Sequence, residues 1–158
     1  MMADDVQLVV LGTGDPYFES FFTSLEHRYP DKVRCLLKYD KALSKKIYAA
    51  SDIFLMPSRS EPCGLSQMIA SRYGSVPVVH ETGGLYDSIR DIGWQGGGNG
   101  FTFAPYNAWD MLCSLRRAET LYADASEWHK LAQKVMRVDF TWSKSARQYI
   151  ALYDGLLG

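Results

Sequence analysis

Three short stretches carry residue types that could do chemistry. Ser58-Arg59-Ser60-Glu61-Pro62-Cys63-Gly64-Leu65-Ser66 sets a carboxylate just ahead of a proline, a residue with no side chain and the start of a helical pattern. Leu65, Met68, Ile69 and Tyr73 recur at helical spacing, so a helix is expected from about Pro62 to Tyr73, with that face in the core and Gly74 as its left-handed terminus. The first amides of a helix have no intrahelical partner, so those around Gly64, Leu65 and Ser66 form a ready phosphate site, and Gly64 leaves room for close approach. Glu61 at the lip of that site reads two ways. It is either a carboxylate favoured by the positive helix end, by about 0.3–1 kcal/mol, or a group that accepts hydrogen bonds from sugar hydroxyls and stabilises developing positive charge.

Thr82-Gly83-Gly84 repeats the theme after an apolar run. The two glycines serve either a tight turn that needs positive φ or a backbone that lets a ligand come close, with a short helix after them offering free amides. Gly12-Thr13-Gly14-Asp15 invites a dinucleotide reading that fails, because the G-x-G-x-x-G fingerprint needs a glycine where Tyr17 stands, and Asp15 and Pro16 crowd the helix start. No G-x-x-x-x-G-K-[ST] loop is present either, which disfavours both an NAD enzyme and a P-loop ATPase. Tyr39, at a strand end, can stack on a nucleobase or simply pack. His80 follows a strand and could face a crevice, whereas His27 and His129 read as surface residues. No histidine pair has metal-ligand spacing, so neither a metal nor a cofactor is expected. Cys63 reads as a small packing residue, although a thiol at a helix start can be reactive.

These stretches need a scaffold to position them. Strands are expected at Gln7–Leu11, Val33–Tyr39, Ile53–Met56, Val76–Val79 and Phe101–Phe103. Helices are expected from Asp15-Pro16 to about Tyr29, at Lys41–Ala50, Pro62–Tyr73 and Asp87–Asp91, and at Ala108–Arg117, Ala125–Met136 and Ser143–Leu156. A glycine-rich loop, Gly93–Gly100, reads as mobile around Gly96-Gly97-Gly98. Near-continuous apolar strands alternating with helices imply an α/β fold, a Rossmann-like parallel sheet with helices on both faces. Ligands of such sheets sit beyond the carboxyl ends of the strands, where all three stretches fall.

The chain has 158 residues with 17 Lys+Arg against 18 Asp+Glu, 47% hydrophobic and 13% aromatic residues. That composition provides one ordinary core and excludes disorder. The balanced charge removes the electrostatic basis for tight nucleic-acid binding. No apolar run approaches the roughly 18 residues of a membrane span. The start Met1-Met2-Ala3-Asp4-Asp5 lacks the basic and apolar regions of a secretion signal, and the scattered Cys35, Cys63 and Cys113 do not form a disulfide framework. A reducing, cytoplasmic setting is expected.

Taken together, Leu11–Pro16, Tyr39–Val79, Glu81–Ile89, Gly98–Phe103, Asn107–Ala118 and Asp139–Tyr153 closely resemble the C-terminal domain of bacterial glycogen synthases and plant starch synthases, in the family's order and over nearly the whole chain. The resemblance implies the C-terminal half of a GT-B glycosyltransferase, lacking its first strand, and a single domain over 1–158 whose segment 140–158 docks on an absent N-terminal domain. It also implies transfer of glucose from ADP-glucose to an α-1,4-glucan with retention and without a metal. Residue by residue, Glu61 is similar to the family's essential glutamate against the transferred glucose, and Tyr39 to the aromatic on adenine. Leu65 and Ser66, beside Gly64, correspond to the amides on the diphosphate, Thr82, Gly83 and Gly84 to the loop beside diphosphate and glucose, and Gly12, Thr13 and Gly14 to the loop bordering the nucleotide.

The departures are informative. Ile69 stands where related transferases carry a second glutamate, and Glu81 where many relatives have arginine. The family's diphosphate-clamping Arg and Lys, its first strand and its N-terminal domain are expected upstream of Met1. Without the charge-assisted contacts of that Arg and Lys and without a closed cleft, this polypeptide is expected to bind ADP or ADP-glucose weakly and to make no glucan. The strands at 7–11 and 53–56 would then close up, pair with a neighbouring molecule or stay as open edges, so self-association is expected. Two other readings stay open: another retaining nucleotide-sugar transferase, of sucrose or trehalose-phosphate type, and a non-catalytic glucan-binding module.

Overall fold

A computed structural model describes residues 5–93, 95 and 97–157. The chain divides into two compact units, Met1–Ser51 and Asp52–Gly158. The first is a β-α-β-α run: β1 (Leu8–Leu11), α1 (Pro16–Arg28), β2 (Val33–Leu36) and α2 (Lys41–Ala50). The two strands pair in parallel, Leu8 opposite Val33 and Leu11 opposite Leu36. Asp15 opens α1 as expected, its side chain accepting from the Tyr17 amide at 2.8 Å while Pro16 holds the first helical position. Glu26 locks α1 to β2, accepting from Arg34 Nη1 at 2.6 Å and from the Cys35 amide at 3.2 Å. Burial, and then the charges of Glu26 and Glu19, push the Cys35 thiol up, away from the reactive thiolate.

The second unit holds β3 (Ile53–Met56), α3 (Ser66–Tyr73), β4 (Val76–His80), α4 (Gly83–Ser88), β5 (Phe101–Phe103), α5 (Ala108–Tyr122), α6 (Ala125–Met136) and α7 (Trp142–Leu157). Its parallel sheet has the order β3-β4-β5, separate from the two-stranded β1-β2 sheet. β4 is central and wholly buried. Pro77 is tolerated there because the Val76 amide bonds toward β3 (Asp52 carbonyl, 2.8 Å), so the missing Pro77 N–H falls on the β5 side, one residue before that pairing begins at Val78. Leu85 of α4 and Ile89 just after it pack on Val79, while Trp128, Leu131 and Val135 turn one face of α6 into the core.

Several expected boundaries shift. α3 starts at Ser66 rather than Pro62, because Gly64 turns left-handed (φ 69°) and the chain ahead of Ser66 is loop. The core face of α3 is not Leu65, Met68, Ile69 and Tyr73. Gln67, Ala70 and Ser71 are buried, and Leu65 is 66% exposed, because small residues allow the helix to lie close on the sheet and on α6. Gly74 does end the helix, at φ 88°. The helix expected at Asp87–Asp91 lies instead at Gly83–Ser88, β2 stops at Leu36, and β4 runs on to His80. Within the glycine-rich loop, Gly96 lies outside the described residues, while Gly98, expected to be mobile, is buried against the carbonyls of Arg90 and Asp91. The apolar side chains of α7 are open, with Trp142 85% exposed.

Asp91 fixes the loop to the sheet. Its carboxylate takes two hydrogen bonds from Arg117 (3.0 and 2.7 Å) and one each from the Gly93 and Thr102 amides, both 2.9 Å. Burial pushes its carboxyl up, but Arg117 and the two amides outweigh burial and hold it below the usual carboxylate range. A depressed folded value means stability that is complete above the unfolded value of about 4 and is lost as pH falls through the folded one. Asp91→Asn is therefore expected to cost about 1–3 kcal/mol at neutral pH, with the gap between variant and parent narrowing below about pH 4, as urea melts at the two pH values measure.

Candidate functional site

The loop between β3 and α3 and the turn between β4 and α4 are joined backbone to backbone. The Gly84 amide donates to the Glu61 carbonyl at 2.9 Å. A Cβ on Gly83 would fall on that same carbonyl, and one on Gly84 on the Cys63 carbonyl. The close approach that these glycines permit is thus to the Glu61–Cys63 backbone, and Gly83 also takes positive φ (45°). The expected free amides after Thr82 are reduced accordingly, since that of Gly84 is occupied.

Four helices start under a side-chain cap: Asp15 on α1, Asp40 on α2, Asn107 on α5 and Asp124 on α6. The helices that begin at the candidate loops do not. Leu65 precedes α3 and Thr82 precedes α4, neither with a capping hydrogen bond. For α3 the first-turn amides of Ser66 and its successors therefore stay available to an anion, as the sequence predicts, although the helix starts later than expected. Glu61 is half-buried beside them, and among the described residues no hydrogen bond or ion pair engages its carboxylate. Glu81 is different, because its carboxylate accepts the Thr102 hydroxyl at 2.5 Å.

Gln67 holds the loop from beneath. Fully buried, its Nε2 donates to the Gly64 carbonyl at 2.9 Å and to Ser88 Oγ at 3.0 Å, with the Cys63 carbonyl at 3.3 Å. Ser88 Oγ passes its own proton to the Gly84 carbonyl at 2.6 Å, which completes a chain from α3 to α4. Sequence reasoning missed both residues. The available signal was a glutamine between Gly64 and a small-residue face, where a surface position would carry no such neighbours. Cys63 is exposed.

In the first unit, Tyr39 lies between β2 and α2 and is 88% exposed, an open ring of the kind that stacks. Gly12 and Gly14 have nothing within 4 Å of an added Cβ. The Gly14 amide donates to Glu19 Oε1 at 2.8 Å, and Thr13 is exposed. Among the described residues no group of three or more His, Cys, Asp or Glu could hold a metal ion, and no helix is long and apolar enough to cross a membrane.

The uncapped start of α3 and the Glu61 carboxylate follow the carboxyl end of β3, where parallel α/β sheets bind their ligands. The family profile described as glycosyl transferases group 1 matches residues 1–135, and the chain belongs to that family. It is 52% identical over 154 residues to a glycogen synthase of Bacillus licheniformis, covering 96% of this chain and 31% of that protein. It is 49% identical to a glycogen synthase of Clostridium novyi, covering 99% and 33%. Among solved structures, the catalytic domain of starch synthase IV from Arabidopsis thaliana, bound to ADP and acarbose, matches with a TM-score of 0.83 and 46% identity over 94% of this chain and 32% of that one. A sucrose-phosphate synthase from Thermosynechococcus elongatus shares the fold alone, at a TM-score of 0.66 and 23% identity. The chain spans about a third of the length of the curated relatives it matches.

Because the Gly84 contact is to backbone that cannot swing aside, Gly84→Ala is expected to cost about 1–3 kcal/mol in stability. Gly14→Ala, which meets open space, should stay within about 0.5 kcal/mol. Thermal melts of the two variants check the pair.

Proposed function

We propose that this chain supplies the nucleotide-sugar-binding part of a glycogen or starch synthase, holding ADP-glucose while glucose passes with retention to an α-1,4-glucan. One observation carries the reading: a half-buried carboxylate without a protein partner, Glu61, stands beside a helix start that no side chain caps. The amides of Leu65 and Ser66 at the start of α3 would receive the diphosphate, and Gly64 would let it approach. Glu61 would accept hydrogen bonds from the glucose hydroxyls and stabilise positive charge developing at the anomeric carbon. Tyr39 would lie on adenine, Gly12-Thr13-Gly14 would border the nucleotide, and Thr82-Gly83-Gly84 would hold the Glu61 loop in place. The similarity to glycogen synthases and to a starch synthase bound to ADP supports this assignment over a glucan-binding module. The open apolar side chains of α7, Trp142 and Tyr149 among them, would serve as a docking surface for the remainder of such a synthase.

Helix-start amides give an anion modest stabilisation compared with paired Arg and Lys. Calorimetry on the chain is expected to show ADP binding in roughly the millimolar range, ADP favoured over UDP, and no elongation of glycogen in a radiolabelled transfer assay. Glu61→Ala should weaken ADP-glucose about threefold to tenfold and leave ADP unchanged, since only the sugar meets the carboxylate. Equal loss for both ligands would contradict the assigned role, and glycogen binding indifferent to nucleotide would favour the module instead.

A further inference from the structure

One side chain holds the two peptide planes ahead of α3. Gln67 has no exposed surface, and its amino group faces three acceptors: the Gly64 carbonyl at 2.9 Å, Ser88 Oγ at 3.0 Å and the Cys63 carbonyl at 3.3 Å. Carbonyl oxygens only accept, so the amino group rather than Oε1 must face the loop. Oε1 is buried and takes no hydrogen bond among the described residues, which leaves the donor arm as the part of this side chain that the fold uses. In a trans peptide the C=O of one residue and the N–H of the next point in opposite directions, and no peptide here is cis. With the Cys63 and Gly64 carbonyls drawn to Gln67, the N–H groups of Gly64 and Leu65 turn away from it. Neither has an acceptor among the described residues. The backbone hands agree, since Gly64 is left-handed (φ 69°) and Leu65 right-handed (φ −108°, ψ −28°). Such an alternation gathers successive amides, here those of residues 64, 65 and 66, on one side.

We propose that Gln67 is a positioning residue: by holding the carbonyls of Cys63 and Gly64 it aims the amides at the start of α3 toward the diphosphate of the donor. It meets no ligand itself. Without its donor arm the two peptide planes can rotate, and the glycine at 64 permits that rotation at little cost. The loop then divides its work, with the Glu61 side chain reading the sugar and Gln67 setting the backbone that reads the phosphates. The consequence for ADP rests on the function proposed above; the direction of the amides does not.

Gln67→Met keeps the length of the side chain and removes both N–H groups. Calorimetry is expected to show ADP, ADP-glucose and inorganic pyrophosphate weakened alike, about threefold to tenfold. Asp124→Ala, which loses the cap of α6 and no contact of the loop, should bind all three as the parent does. Unchanged pyrophosphate affinity in a folded Gln67→Met chain, an effect confined to ADP-glucose, or the same loss in Asp124→Ala would each overturn the proposal. If Gln67→Met gives no cooperative melt, hydrogen exchange in the parent decides. The Gln67 side-chain amide is expected to be protected with and without pyrophosphate, and the Leu65 amide to be open without it and slowed at saturation. A Leu65 amide already protected in the free chain, or a Gln67 amide that exchanges like one on the surface, overturns the proposal. If the parent binds none of the three ligands, the functional reading fails, while exchange at Leu65 and Gln67 in the free chain still decides the amide directions.

Discussion

The hydrogen bond from the Gly84 amide to the Glu61 carbonyl, and the backbone contact around it, is the constraint on which the rest depends. It holds only because residues 83 and 84 carry no side chain and because β4 delivers them at the carboxyl edge of the sheet. The buried sheet, Gln67 beneath the loop and Ser88 behind the turn all serve to keep two irregular segments at backbone distance. Among the described residues, the Glu61 carboxylate takes no hydrogen bond or ion pair, and no side chain caps the first amides of α3.

Much of this was legible in the residues. Local signals read correctly: Asp15-Pro16 opening a helix, Gly74 closing one, and apolar runs for β1, β3 and β5. The motif from Ser58 to Ser66 pointed to a helix start after a carboxylate, and α3 does begin at Ser66, without a side-chain cap. The resemblance to glycogen and starch synthases agrees with the family to which the chain belongs and with the relatives it matches.

What the sequence hid is non-local. The period of Leu65, Met68, Ile69 and Tyr73 marked the wrong face of α3, because a helix seated closely on a sheet buries its small residues and its one amide instead. The glycines at 83 and 84 read as either a tight turn or room for a ligand; Gly83 takes positive φ, and the backbone of residues 61–63 lies where their Cβ atoms would stand. Ser88 gave no signal at all, since its partner Gln67 lies 21 residues away in the chain, and His80, read as able to face a crevice, lies against the Ser58 and Ala104 carbonyls. Pro77 stands in the central strand, where the late start of β5 leaves its missing N–H without a pairing to lose.

The contrast between capped and uncapped helices has an energetic consequence. A side-chain cap contributes about 1 kcal/mol, and α3 forgoes it at the place where an anion would supply the same hydrogen bonds. The unliganded protein therefore sits below the stability its fold could reach, and a guest that completes the helix start adds its binding free energy to that of folding. A serine or aspartate at position 65 could supply the missing cap from within the chain; leucine leaves the first turn of the helix to whatever the solvent offers.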